Sequence, residues 1–131
     1  DFWSQMTSRI DIRANRPAGI DNFRYDPAGQ MLSFGFETGN PGYCQRSEDF
    51  EKPMGDWNTV ELICFQGNSL HIVNGKVVMA LSNSRFMDGA DSKPLIKGKI
   101  QLQSEAAEVF YKDIRIRTIS ELPEKYRTYF N

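Results

Sequence analysis

Histidine is almost absent from this sequence. His71 is the single one among 131 residues, which argues against a metal site built from several imidazoles. Cysteine is scarce as well: Cys44 and Cys64 have no metal-ligand spacing and can form one disulfide at most. Cys64 sits inside an alternating strand pattern and Cys44 in a loop, so two unpaired thiols are the expectation. An excess of charge of one sign is also missing. Sixteen Lys and Arg oppose 17 Asp and Glu, so no net field steers the chain to nucleic acid or to an anionic membrane. No apolar run approaches the roughly 20 residues that a spanning helix needs. There is no internal repeat and no low-complexity tract. The opening "DFWSQ" shows neither an initiating Met nor a charged-then-apolar leader, which fits a removed leader or a longer parent chain.

What is present is alternation. At 40% hydrophobic content the chain can build one core, not two. "SQMTSRIDIRA" puts Met6, Ser8, Ile10 and Ile12 on one face and Thr7, Arg9, Asp11 and Arg13 on the other. "NFRY" and "QMLSFGFE" read as short strands around the turn "DPAGQ", with Leu32, Phe34 and Phe36 on the apolar side of the second. "NTVELICFQ" reads as another half-buried strand. In "LHIVNGKVVMAL" the Asn-Gly pair predicts a two-residue type I′ turn, because both central residues need positive φ. That turn pairs Val73 with Lys76, Ile72 with Val77, His71 with Val78 and Leu70 with Met79. Leu70, Ile72, Val77, Met79 and Leu81 then share one apolar face.

Residues 38–56 and 82–94 read as long irregular segments, which in a compact domain are usually functional rims or linkers. "GKIQLQSEAAEVFYKDIRIR", residues 98–117, predicts two further strands, the second with a β-bulge near Lys112 and Asp113. Residues 1–119 are expected to form one antiparallel all-β domain, a two-sheet sandwich or jelly roll, with opening strands outside this chain. Residues 120–131 form a tail of one or two helical turns, with Ser120 as cap and Leu122, Tyr126 and Tyr129 spaced to dock.

"GDWNTVEL", "HIVNGKVV" and "GKIQLQSEAAEVFYKDIRIR" occur in that order, and over residues 55–118 they resemble the 3-keto-disaccharide hydrolase family. Trp57, Asn58, His71, Asn74, Gly75, Gly98, Ile100, Leu102, Gln103 and Tyr111 carry the match. Upstream the likeness is looser, and Asp11 stands where the family has Glu or Gln. The resemblance implies a concanavalin A-like lectin/glucanase fold, a carbohydrate ligand and an extracytoplasmic location (periplasmic, secreted or surface-attached) in a bacterium. It also implies a complete domain longer than this chain.

Each candidate site residue has a plain alternative. Gln101 and Gln103 alternate with Ile100 and Leu102; they face either a sugar groove or water. Arg9, Asp11 and Arg13 either hold an oxygen-rich ligand or form an exposed charge ladder. Glu105, at the end of the glutamine-bearing strand, is the better catalytic carboxylate beside Glu108, unless both belong to a solvated turn. His71 and Asp11 complete the catalytic candidates, His71 as a proton carrier or as a packed strand residue. Trp3 and Tyr43 can stack on sugar rings, whereas Trp57 is expected in the core.

A 3-keto-glycoside would be cleaved by removing the acidified C2 proton, expelling the C1 oxygen and adding water, with Arg9 or Arg13 on the enolate. Hydrolysis by paired carboxylates is a second enzymatic route. A non-catalytic carbohydrate-binding module is the rival class, and a structural domain of a surface protein a third. No motif demands a metal or another cofactor. The oligomeric state stays open, a homo-oligomer included.

Overall fold

The structure, a computed structural model, describes residues 1–3, 7–35, 38–40, 42–104 and 106–130. Met6, Phe36 and Glu105, all used in the sequence reading, lie outside the described residues. The chain is all-β apart from one 3-10 helix at Glu124–Phe130. Its strands are β1 (Phe2–Trp3), β2 (Ser8–Asn15), β3 (Phe23–Tyr25), β4 (Gln30–Gly35), β5 (Tyr43–Gln45), β6 (Val60–Phe65), β7 (Asn68–Val73), β8 (Lys76–Asp88) and β9 (Asp91–Pro94). They follow the order β1-β5-β3-β2-β8-β7-β6, with β4 also on β2 and β9 also on β8. All pairings are antiparallel except β3 with β5.

The period-two alternation of β2 is reproduced in burial. Ile10, Ile12 and Ala14 are buried, while Arg9, Asp11 and Arg13 are only half-covered. Phe34 from β4 and Leu70, Ile72 and Met79 from β7 and β8 close over the same cluster. Two glycines let the backbones approach. A Cβ at Gly35, at φ 108°, would collide with the Ser8 carbonyl oxygen, and one at Gly29 would lie 2.8 Å from the Ala14 carbonyl carbon. Between β3 and β4 the Asp26 carboxylate accepts from the Ala28 N–H at 2.8 Å, the side-chain mimic of a turn that "DPAGQ" predicted.

The Asn-Gly turn forms as expected, with φ of 48° at Asn74 and 79° at Gly75. Val73 meets Lys76 and Ile72 meets Val77, but then the register slips. His71 pairs with Met79 and Leu70 with Ala80, not with Val78 and Met79 as the turn alone predicts. The cause is a bulge that leaves Val78 and Met79 together opposite His71. Consecutive residues Val78 through Leu81 are then all buried, where strict alternation would expose every second one.

Three further expectations are corrected. Residues 82–94 are not a loop: most of them lie in β8 and β9, joined by a tight turn in which Asp88 faces Asp91 and Gly89 has φ 64°. Among the described residues of this segment none is fully buried. β6 is more exposed than a half-buried strand, with Val60 and Leu62 open to solvent, because it terminates the strand order. Residues 98–117 form no strand among their described residues, and every one of those residues is exposed. Alternation prepares a segment for a sheet, but a strand exists only beside a partner, and this one pairs with no strand among the described residues.

The C-terminal helix packs as its spacing predicted. Tyr126 is buried in the core cluster, with Leu122, Tyr129 and Phe130 against it. Among the described residues no helix is long and apolar enough to cross a membrane.

Candidate functional site

The strands converge most usefully around Asp11. Its oxygens are held from both sides: Ser33 Oγ on β4 donates to Oδ1 at 2.6 Å, and Asn83 Nδ2 on β8 donates to Oδ2 at 2.8 Å. Ser33 is there because Asp11 and Ser33 are registered partners. Asn83 is there because the β2–β8 register shifts: Asp11 faces Ser82, yet Arg9 faces Arg85, so β8 carries a surplus residue between them. Asn83 has φ 53°, a left-handed conformation that Asn tolerates. Ser82 Oγ adds a bond to the Asp11 carbonyl at 3.2 Å.

Arg85 extends the network. Its NH1 donates to Asn83 Oδ1 at 3.3 Å, its Nε to Ser92 Oγ at 2.6 Å and its NH2 to the Ser92 carbonyl at 2.7 Å. Arg13 NH1 reaches the Gly29 carbonyl at 3.4 Å. Arg9 forms neither a hydrogen bond nor an ion pair with another described residue. The result is a half-buried carboxylate fixed by neutral donors and flanked along its strand by two guanidiniums. Such a surface can accept from hydroxyls and donate to oxyanions.

The other sequence candidates stand elsewhere. His71 on β7 faces Met79, three residues along β8 from the residue that Asp11 faces, about 10 Å at ~3.3 Å per residue. The two lie on opposite flanks of β8, so His71 and Asp11 do not form an acid–base pair. Burial, with a contribution from the positive chain terminus, holds the His71 pKa below its ordinary 6.5. Trp3 and Tyr43 are registered partners on β1 and β5, with ring centroids 4.5 Å apart. Trp3 is exposed and Tyr43 half-buried, but β1 lies three strands from β2, about 14 Å at ~4.8 Å per strand. Gln101 and Gln103 are exposed in irregular chain, and their amides bond to no described residue. Glu108 is exposed, and Glu105 lies outside the described residues.

Motif residues that looked functional have a structural role. Asn74 Nδ2 donates to the Phe50 carbonyl at 2.7 Å and to Asn58 Oδ1 at 2.8 Å, while its Oδ1 accepts from the Thr59 N–H at 3.0 Å. Asn58 Oδ1 also accepts from the Lys52 N–H at 2.8 Å. The Trp-Asn and Asn-Gly motifs thus clamp the 50–59 loop onto the β7–β8 turn. Trp57 is not in the core. Half exposed, it lies under the Lys112 ammonium, 4.1 Å from its ring centre.

The two thiols are free. Burial pushes Cys44 up to about 12 and raises Cys64 as well, so neither is a thiolate nucleophile near neutral pH. No cluster of three or more metal-binding side chains exists among the described residues.

Sequence reasoning missed Ser33, Asn83, Arg85 and Ser92. Asn83 is 72 positions from Asp11, and no local spacing announces such a pairing. The run of four polar residues "SNSR" carries no period-two signal that would mark it as a strand.

An all-β chain whose sheet presents guanidiniums, a carboxylate, hydroxyls and amides together has the surface chemistry of a saccharide-handling domain. The family comparison agrees: the model of the 3-keto-alpha-glucoside-1,2-lyase-like domain matches residues 10–117, and the chain belongs to that family. It is thus a domain of a carbohydrate-active family, the one that the residue 55–118 motifs resemble. No curated protein and no solved structure matches the chain.

Proposed function

We propose that the face built by β2, β4 and β8 takes a 3-keto-glycoside and cleaves it by elimination across C1 and C2, followed by addition of water. The observation that carries this reading is the Asp11 carboxylate, held by Ser33 and Asn83 beside Arg9, whose side chain has no ion-pair partner among the described residues. Asp11 is the base: it removes the C2 proton, which the neighbouring ketone acidifies. Arg9 receives the negative charge that develops on the ketone oxygen, and the electron pair from C2 expels the glycosidic oxygen from C1, which takes a proton from water and leaves as an alcohol. Water then adds to the resulting C1–C2 double bond. The family's description as a 1,2-lyase-like domain supports elimination over direct displacement. A periplasmic, secreted or surface location belongs to the same reading, and cell fractionation tests it.

The decisive assay supplies a 3-keto-α-glucoside and follows ultraviolet absorption of the conjugated enone together with release of the aglycone. Asp11→Asn keeps the shape and the hydrogen-bonding oxygen but cannot accept the proton. Its rate is expected to fall about 10²–10⁴-fold. An unchanged rate with the fold intact removes Asp11 as base.

A second reading is a carbohydrate-binding module. It is favoured by one observation: each Asp11 oxygen already accepts a hydrogen bond, and no second described titratable group is hydrogen-bonded to it as the acid for the leaving oxygen. Saccharide binding without turnover, weakened by Asp11→Asn, identifies this alternative.

A further inference from the structure

We propose that Arg85, together with the Arg9 donors not directed at the ketone oxygen, receives an anionic substituent, so that the saccharide taken by this domain is acidic and carries a carboxylate on its ring. The inference rests on the reading of the β2–β4–β8 face as a sugar site and names the class of sugar.

Arg9 and Arg85 are registered partners on adjacent antiparallel strands. Directly opposed side chains of this kind start about 5 Å apart at Cβ, and like charges placed so are destabilising unless something neutralises them. Neither guanidinium forms an ion pair with a described residue. The ion pairs of the described residues belong to Arg16, Arg46, Lys93 and Arg127, with Arg46 alone drawing on Asp1, Asp49 and Glu51. Asp11, the carboxylate on the same strand, receives its bonds from Ser33 and Asn83 instead.

The two guanidiniums are also held differently. Every side-chain bond of Arg85 to a described residue goes to a neutral acceptor, Ser92 or Asn83, which fixes its plane without cancelling its charge. Arg9 is half-buried, and its guanidinium donates to no described residue. A fixed cation beside an uncommitted one is a receptor with one jaw set. The planar fork of a guanidinium matches the two oxygens of a carboxylate.

The surroundings supply room for the sugar that would carry the anion. Arg85 and Asn83 also line a cavity of about 380 Å³, walled by Pro94, Leu95 and Ile96 on one side and Gln66 and Ser84 on the other. That volume lies within the range of small-ligand pockets. The apolar wall suits the C–H face of a pyranose. The Gln66 amide and the Ser84 hydroxyl bond to no other described residue and are available to ring hydroxyls.

Calorimetric titration of the intact chain tests this with four probes: cellobiose, cellobiouronic acid, a sulfated cellobiose and inorganic sulfate. The acid disaccharide is expected to bind at least about tenfold more tightly than cellobiose. Added salt should shrink that advantage. Arg9→Gln should abolish it, and Arg9→Lys should retain part of it. Equal binding of acid and neutral sugars, or an unaffected Arg9→Gln variant, overturns the inference and leaves the sugar reading standing. Tightest binding of the sulfated sugar overturns the carboxylate and assigns a sulfate ester. Inorganic sulfate binding as tightly as the acid disaccharide overturns the saccharide and leaves a bare anion site. No binding of any saccharide by the folded chain removes the sugar reading itself.

Discussion

At the scale of single residues, the side chains that matter are those whose hydrogen bonds cannot be replaced. Asn74 is one: its amide spends two donors and one acceptor on three partners while its backbone occupies φ 48°. Asn74→Ala removes all three bonds and places a residue with little tolerance for positive φ at the turn. A loss of about 1–3 kcal/mol is expected, read as a lowered urea midpoint. His71 gives a pH dependence whose sign follows from its burial. Its folded pKa lies below the ordinary 6.5, so between those two values the unfolded chain holds a proton that the folded chain lacks. Stability therefore rises with pH across that window, is complete above 6.5 and declines as the pH falls through it. Urea midpoints against pH should show this slope in the parent chain and a flatter one in His71→Gln. Arg9, Asp11 and Arg13 were legible as a row from β2 alone. Their partners were not, because Ser33 and Asn83 reach Asp11 through strand pairing.

At the scale of elements, local chemistry was read well and pairing poorly. The Asn-Gly turn, the Asp26 turn and the docking face of the C-terminal helix each depend on residues a few positions apart. The turn chemistry of "VNGK" names its own conformation. Nothing in that stretch says that Val78 and Met79 share one partner, because the extra residue is imposed by the packing of β8 against neighbours on both flanks. The C-terminal helix offers a direct measure of how much such docking contributes. Tyr126 is 7% exposed within the core cluster, and Tyr126→Ala should lower the unfolding free energy by about 3 kcal/mol. A loss near zero would mean that the helix lies on the core without holding it.

At the scale of the whole molecule, the division is between a hydrogen-bonded ladder and a long exposed stretch. β2 and β8 sit at the centre of the strand order, while 95–118 contributes no buried residue among those described. Brief trypsin treatment should cut first at Lys97, Lys99, Lys112, Arg115 or Arg117, with fragments identified by mass. First cleavage at Arg9, Arg13 or Arg85 would contradict that division. The all-β class and the family were both legible, the first from alternation and the second from ordered motifs in residues 55–118. The fate of residues 98–117 was not. "KIQLQ" carries the pattern of a strand whether or not a neighbour is present to receive it, so pattern alone fixes a capacity and not an arrangement.

The surplus residue in β8 ties two properties to one position. Asn83 takes up the slack that lets the strand change course between its two sets of neighbours, and the same turn of its backbone aims an amide at the acid. Deleting it would straighten the strand and strip Asp11 of a donor in one step. Curvature and chemistry at this spot are inherited together.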